Sequence, residues 1–117
     1  MTPAPVKPQV DIAVLDQLDI RVGTIRAVAE VPGSDKLLAL TVAFGDHDRT
    51  ILSGMKQERP DPQVLVGKQA LFVVNLKPRK MAGMLSQGML FDIGYADGIV
   101  PVLASPEALV PDGTRAG

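Results

Sequence analysis

The chain has 117 residues, 46% hydrophobic and 21% charged, with a formal net charge of −1. That is one domain with a single core, and not the overall cationic balance of a general nucleic-acid coat. Zero cysteines exclude disulfides, thiolate metal sites and a cysteine nucleophile and fit a reducing, cytoplasmic setting, while no apolar run approaches the ~20 residues of a membrane helix.

Residues 1–10 read as a flexible, extended leader, because Pro3, Pro5 and Pro8 each fix φ and remove a backbone donor. It lacks the cationic start and apolar centre of an export signal. The domain proper is expected over 11–117. "DIAVLDQL" (11–18) suits a short helix capped by Asp11, with Ile12, Leu15 and Val14 on one side, too short to persist without docking. "LDIRVGTIRAVAEV" (18–31) alternates as a strand, and its phase slips at Gly23, where a β-bulge or sharp coil is expected. "VPGSDK" (31–36) is a turn. "LLALTVAF" (37–44) is a second strand with Leu38, Leu40, Val42 and Phe44 on one face, and "GDHD" (45–48) turns the chain into a third, "RTILSGM" (49–55). His47, the sole histidine, reads as a turn residue rather than a metal ligand, since no second imidazole completes a zinc set.

"KQERPDPQVLVGK" (56–68) is polar and proline-interrupted, with room for one helical turn near Pro62–Leu65. "QALFVVNL" (69–76) is a fourth strand, apolar almost throughout and therefore covered on both sides. "QGMLFDIGYADGIVPVL" (87–103) supplies a fifth strand, a turn at Ala96–Gly98 and a short pairing segment, and the tail closes in turns. Five strands with a small helical element between the third and fourth give an all-β plan, the OB-fold five-stranded barrel with short helical elements. An SH3-like barrel has a similar strand count.

The stretch "NLKPRKMAGMLSQGML" (75–90) suits neither an ordinary core strand nor a solvated helix. Met81, Met84, Leu85 and Met89 fall roughly at helical spacing, but Gly83 and Gly88 each cost a helix interior about 1 kcal/mol. A solvated basic loop is the second reading. The third is a loop and strand edge that grips phosphates. No acid occurs from Pro62 to Phe91, so Lys77, Arg79 and Lys80 raise a local positive potential that an anionic partner relieves. Pro78 stiffens the segment. Asn75, Ser86 and Gln87 offer donors and acceptors to base edges or ribose hydroxyls, and methionines offer adaptable apolar surface. With one tyrosine, three phenylalanines and no tryptophan, the chain is poor in the stacking platforms of a general single-strand binder, which points to a folded RNA.

"LDIRVGTI", "GSDKLLALTV", "GKQALFVVNLKPRKMAGMLSQGML" and "VPDGTRAG" resemble the tRNA-binding OB domain family over roughly residues 15–117. That family includes the C-terminal domain of methionyl-tRNA synthetases and free-standing homodimeric tRNA-binding proteins. The resemblance implies a non-catalytic protein without cofactor or metal that recognises the outer corner of folded tRNA. It implies tRNA contacts from Lys36, Asn75, Lys77, Arg79, Ser86 and Met89, with Lys80 and Gln87 as additions. Read alone, Lys36 is a turn lysine in water, and Met89 is equally a core residue of a strand. The resemblance further implies a homodimer; delivery of tRNA to an aminoacyl-tRNA synthetase in trans and simple sequestration of tRNA both stay open, in a cytoplasmic setting with no membrane partner. A cousin branch, the CsaA-like export chaperones, binds unfolded polypeptide instead; there "NLKPRK" is typically replaced by a more apolar segment and "SQGM" by one with a non-glycine ending, whereas this chain keeps the RNA type at both.

Overall fold

The computed structural model describes residues 2–57 and 59–117; Met1 of the leader and Glu58 of the polar connection lie outside the described residues. After an extended, exposed leader come α1 (Ile12–Asp16), β1 (Ile20–Glu30), β2 (Leu38–Ala43) and β3 (Asp48–Ser53). A 3-10 turn at Pro62–Leu65 precedes β4 (Gln69–Val73), then β5 (Arg79–Met81), β6 (Met84–Ser86), β7 (Met89–Leu90) and β8 (Asp92–Ile93). A second 3-10 turn, Tyr95–Asp97, leads to β9 (Val102–Leu103) and β10 (Arg115–Ala116).

The main sheet runs β3-β2-β1-β4-β7, with β10 added beside the start of β1, and every pairing is antiparallel. Strand β1 makes the curl possible. Residues 20–24 pair with β4 and residues 24–30 with β2, so one strand serves both walls. The sheet ends then approach each other: Gln87 N donates to Thr50 O at 2.8 Å, Thr50 N donates to Gln87 Oε1 at 2.9 Å, and Leu52 N donates to Ser86 Oγ at 2.9 Å. The result is a strongly curled five-stranded half-barrel of the OB type, as the strand count predicts.

Leu38, Leu40, Val42 and Phe44 all point into the core, where Phe44 meets Phe72 edge-on at 5.6 Å between ring centroids. On β4 and just after it, Ala70, Phe72 and Val74 join this cluster while Gln69 and Val73 are buried on the other face, as the continuous apolar run implies. The 3-10 turn at Pro62–Leu65 forms where it is expected, with the Asp61 side chain accepting from Gln63 N and Leu65 fully buried.

Three expectations change. The extra residue in β1 falls between Ile25 and Ala27, not at Gly23. Gly23 answers a different need: a Cβ there would sit 2.5 Å from Val42 Cγ1 and 2.8 Å from Phe44 Cε1, so the curl closes over a position with no room for a side chain. Helix α1 starts at Asp11 as expected, but the Asp11 side chain makes no capping bond and no residue of the helix is buried. The tail is more than turns, because Arg115 and Ala116 pair with Arg21 and Ile20.

Candidate nucleic-acid interface

The basic stretch folds as a hairpin. Helix is ruled out by the two-residue turn Ala82-Gly83, where both φ values are positive, 49° and 80°; this is the twist that suits a tight hairpin. Pairing sets Arg79 opposite Ser86, Lys80 opposite Leu85 and Met81 opposite Met84. Alternation then sorts the side chains. Met81 and Met84 pack on the buried Val31, Ala39 and Leu52, and Ser86 on the same face is only 3% exposed. Arg79 shares that face and emerges at its rim, whereas Lys80 and Leu85 project from the opposite, exposed face.

Both flanks of the hairpin are tied to the barrel. Asn75 Oδ1 accepts from Asp19 N and Asn75 Nδ2 donates to Gln17 O, each at 2.8 Å, joining the end of β4 to the segment before β1. On the other side Ser86 Oγ donates to Gly88 O at 3.1 Å besides accepting from Leu52 N. Gln87 is held by Thr50 and by Arg49, whose Nη1 donates to Gln87 O at 3.1 Å and to Val74 O at 2.6 Å. His47 lies in the turn between β2 and β3, as its setting suggests; its Nε2 accepts from Arg49 Nε at 3.0 Å and its ring stacks on Phe44. Asn75, Ser86 and Gln87 are thus engaged by the protein's own backbone.

Lys36, Arg79 and Met89, 53 positions apart at the extremes of the sequence, line one open cleft of about 780 Å³ between the hairpin and the β2 entry turn. Asp35, Asp92 and Tyr95 line it too. Lys77 is exposed on the connection into the hairpin, outside the cleft, and Lys80 faces away from it. The patch therefore has two parts, a cleft wall and an outer hairpin face.

The charges divide the same way. Arg21 and Arg115 both pair with Asp19, Lys56 with Glu30, and Arg26 with Asp112. The Arg21 guanidinium, opposed by some desolvation and helped by Arg115, holds the Asp19 carboxyl below its usual range. His47 beside Asp46 lowers that carboxyl as well. Among the described residues Lys36, Lys77, Arg79 and Lys80 take part in none of these ion pairs. Sequence reasoning missed Tyr95 as a cleft residue; its one available signal is an aromatic set between Gly94 and Gly98, out of phase with any strand.

A curled antiparallel half-barrel with an exposed, carboxylate-free basic hairpin beside an open cleft defines an OB-fold domain of the nucleic-acid-binding kind. The family described as "Putative tRNA binding domain" matches residues 20–115, and the chain belongs to it. It is 38% identical over 107 residues to the methionine–tRNA ligase of Oceanobacillus iheyensis, covering 91% of this chain and 16% of the ligase. With the ligase of Methanocaldococcus jannaschii it shares 42% over 95 residues, covering 81% of this chain and 14% of the ligase. The chain thus spans only a small part of either ligase. Among solved structures it resembles a MetRS-related protein from Pyrococcus horikoshii, with 35% identity, a TM-score of 0.86 and coverage of 95% of this chain and 100% of that one. It also resembles the chaperone CsaA of Bacillus anthracis, with 25% identity, a TM-score of 0.79 and coverage of 94% and 100%.

Proposed function

We propose that this chain binds the outer corner of folded tRNA without catalysing a reaction, gripping the sugar-phosphate backbone with Lys36, Lys77, Arg79 and Lys80 and resting an exposed base on Met89. One observation carries the reading. Arg21, Arg26, Lys56 and Arg115 are matched with carboxylates, while these four, three of them within four positions of the chain, are exposed and join no ion pair among the described residues. An unmatched cluster costs self-repulsion that a polyanion relieves. Asn75, Ser86 and Gln87 serve the site by fixing the hairpin, and Gln87 keeps its Nε2 donors for the RNA.

The homodimer belongs to the same proposal. Leu15, Leu18, Ile20, Leu71 and Phe91 line an apolar hollow of about 420 Å³ beside Arg115, on the wall away from the core. A second copy would cover this surface and present two sets of cations to one tRNA. Delivery to a synthetase in trans and a cytoplasmic setting are part of the same proposal, supported by the similarity to the ligases. The rival reading is a chaperone of the CsaA kind, which would use Leu85 and Met89 as apolar contacts for unfolded chains.

A gel shift with total tRNA at low salt should give a discrete complex, and light scattering should give the mass of two chains. Absence of any complex refutes the tRNA reading. Suppression of aggregation of a denatured client by the same preparation, without tRNA binding, would establish the chaperone reading in its place.

A further inference from the structure

The cleft contains an aromatic ring that the core does not use. Phe44 and Phe72 are buried, but Tyr95 is 79% exposed. It is set in its 3-10 turn between Gly94 and Gly98, both left-handed, with φ of 111° and 72°. An isolated exposed apolar residue needs no explanation; the neighbours of this one supply the argument. Tyr95 lines the cleft together with Lys36, Arg79 and Met89, and with Met89 it also borders the adjoining cleft that runs to Lys7 of the leader. Ala4 N donates to Asp97 Oδ1, which sets the leader against that end.

A flat ring and a half-exposed thioether between cations have the chemical layout of a nucleotide: phosphate at the charges, base on the apolar surface. Asp92, in both clefts, repels phosphate at that point but accepts hydrogen bonds from the amino group of a base. We infer that Tyr95 is a stacking platform for one unpaired, amino-bearing base of the bound RNA, with Asp92 accepting from its edge. This rests on the tRNA-binding reading above and adds to it an aromatic contact that carries no charge.

The test uses a property of the chain itself. Tyr95 is the only tyrosine and there is no tryptophan, so tyrosine emission reports on this ring alone. Titration of the full chain with total tRNA should shorten the tyrosine fluorescence lifetime, a readout insensitive to absorbance by the RNA, and saturate together with the gel-shift complex. Tyr95→Ala should weaken binding roughly ten- to hundredfold with an unchanged salt slope, since stacking releases no counterions. Tyr95→Phe should bind like the parent. The inference is overturned if tRNA binds while the lifetime stays constant and Tyr95→Ala binds like the parent. A chain that forms no tRNA complex with Tyr95 intact overturns the underlying reading instead, so the two failures are told apart.

Discussion

Replacing Lys77 and Arg79 together with alanine separates a site from a scaffold. Both side chains are exposed, and neither joins an ion pair among the described residues. Their loss strands no buried charge, and stability should change by no more than about 0.5 kcal/mol. RNA affinity should change far more. If the four cations Lys36, Lys77, Arg79 and Lys80 each neutralise one phosphate, counterion release gives log K against log salt a slope near −3.6, and the double variant about −1.8. Between about 50 and about 200 mM salt the parent should then lose roughly a hundredfold in affinity and the variant only about tenfold. At about 0.1 M salt the missing terms amount to roughly sixtyfold, or about 2.5 kcal/mol. Filter binding across a salt series reads the slope, and thermal melting reads the stability. An unaltered slope in the double variant would refute the assignment of these cations to phosphates, and a large fall in melting temperature would show that they hold the fold.

Ser86→Ala should behave oppositely: it leaves the buried Leu52 N without its acceptor, so the melting temperature should fall by an amount equivalent to about 1–3 kcal/mol. Gly23→Ala should cost a similar ~1–3 kcal/mol, measured by urea unfolding, because the new methyl meets Val42 and Phe44 within the closed curl. Asp19, whose carboxyl is lowered by Arg21 and Arg115, contributes stability that is present above its unfolded value near pH ~4 and lost as the pH falls through the lower folded value. Melting curves of the parent should therefore weaken more steeply below about pH 4 than those of Asp19→Asn, and equal acid sensitivity would contradict the pairing.

The barrel was legible because its strands announce themselves locally. Alternation in 37–44, the apolar run of 69–74 and the helical turn at Pro62–Leu65 each appear where expected. What escaped depends on partners remote in the chain. The β10 pairing with β1 joins Ile20 to Ala116 and the Asp19–Arg115 contact likewise joins residues 96 apart, and no short window of sequence contains both partners. The hairpin at 79–86 escaped for a different reason. Its methionines mimic helical spacing, and its turn places an alanine at positive φ, where glycine or asparagine is the usual signal. The eight candidate site residues could be named from the sequence as expectations, but where each one sits could not. Only the fold shows that Asn75 and Ser86 spend their hydrogen bonds on the backbone while Lys36 and Arg79 come to line one cleft.

The double anchoring of the basic hairpin, by Asn75 on one flank and by Ser86 and Gln87 on the other, bears on how fast a partner is captured. The loss of chain freedom has already been met when the barrel folds, so none remains to slow the encounter. Capture should then run at a speed governed by long-range attraction and diffusion, and differences in tightness among RNAs should emerge in how long each one stays.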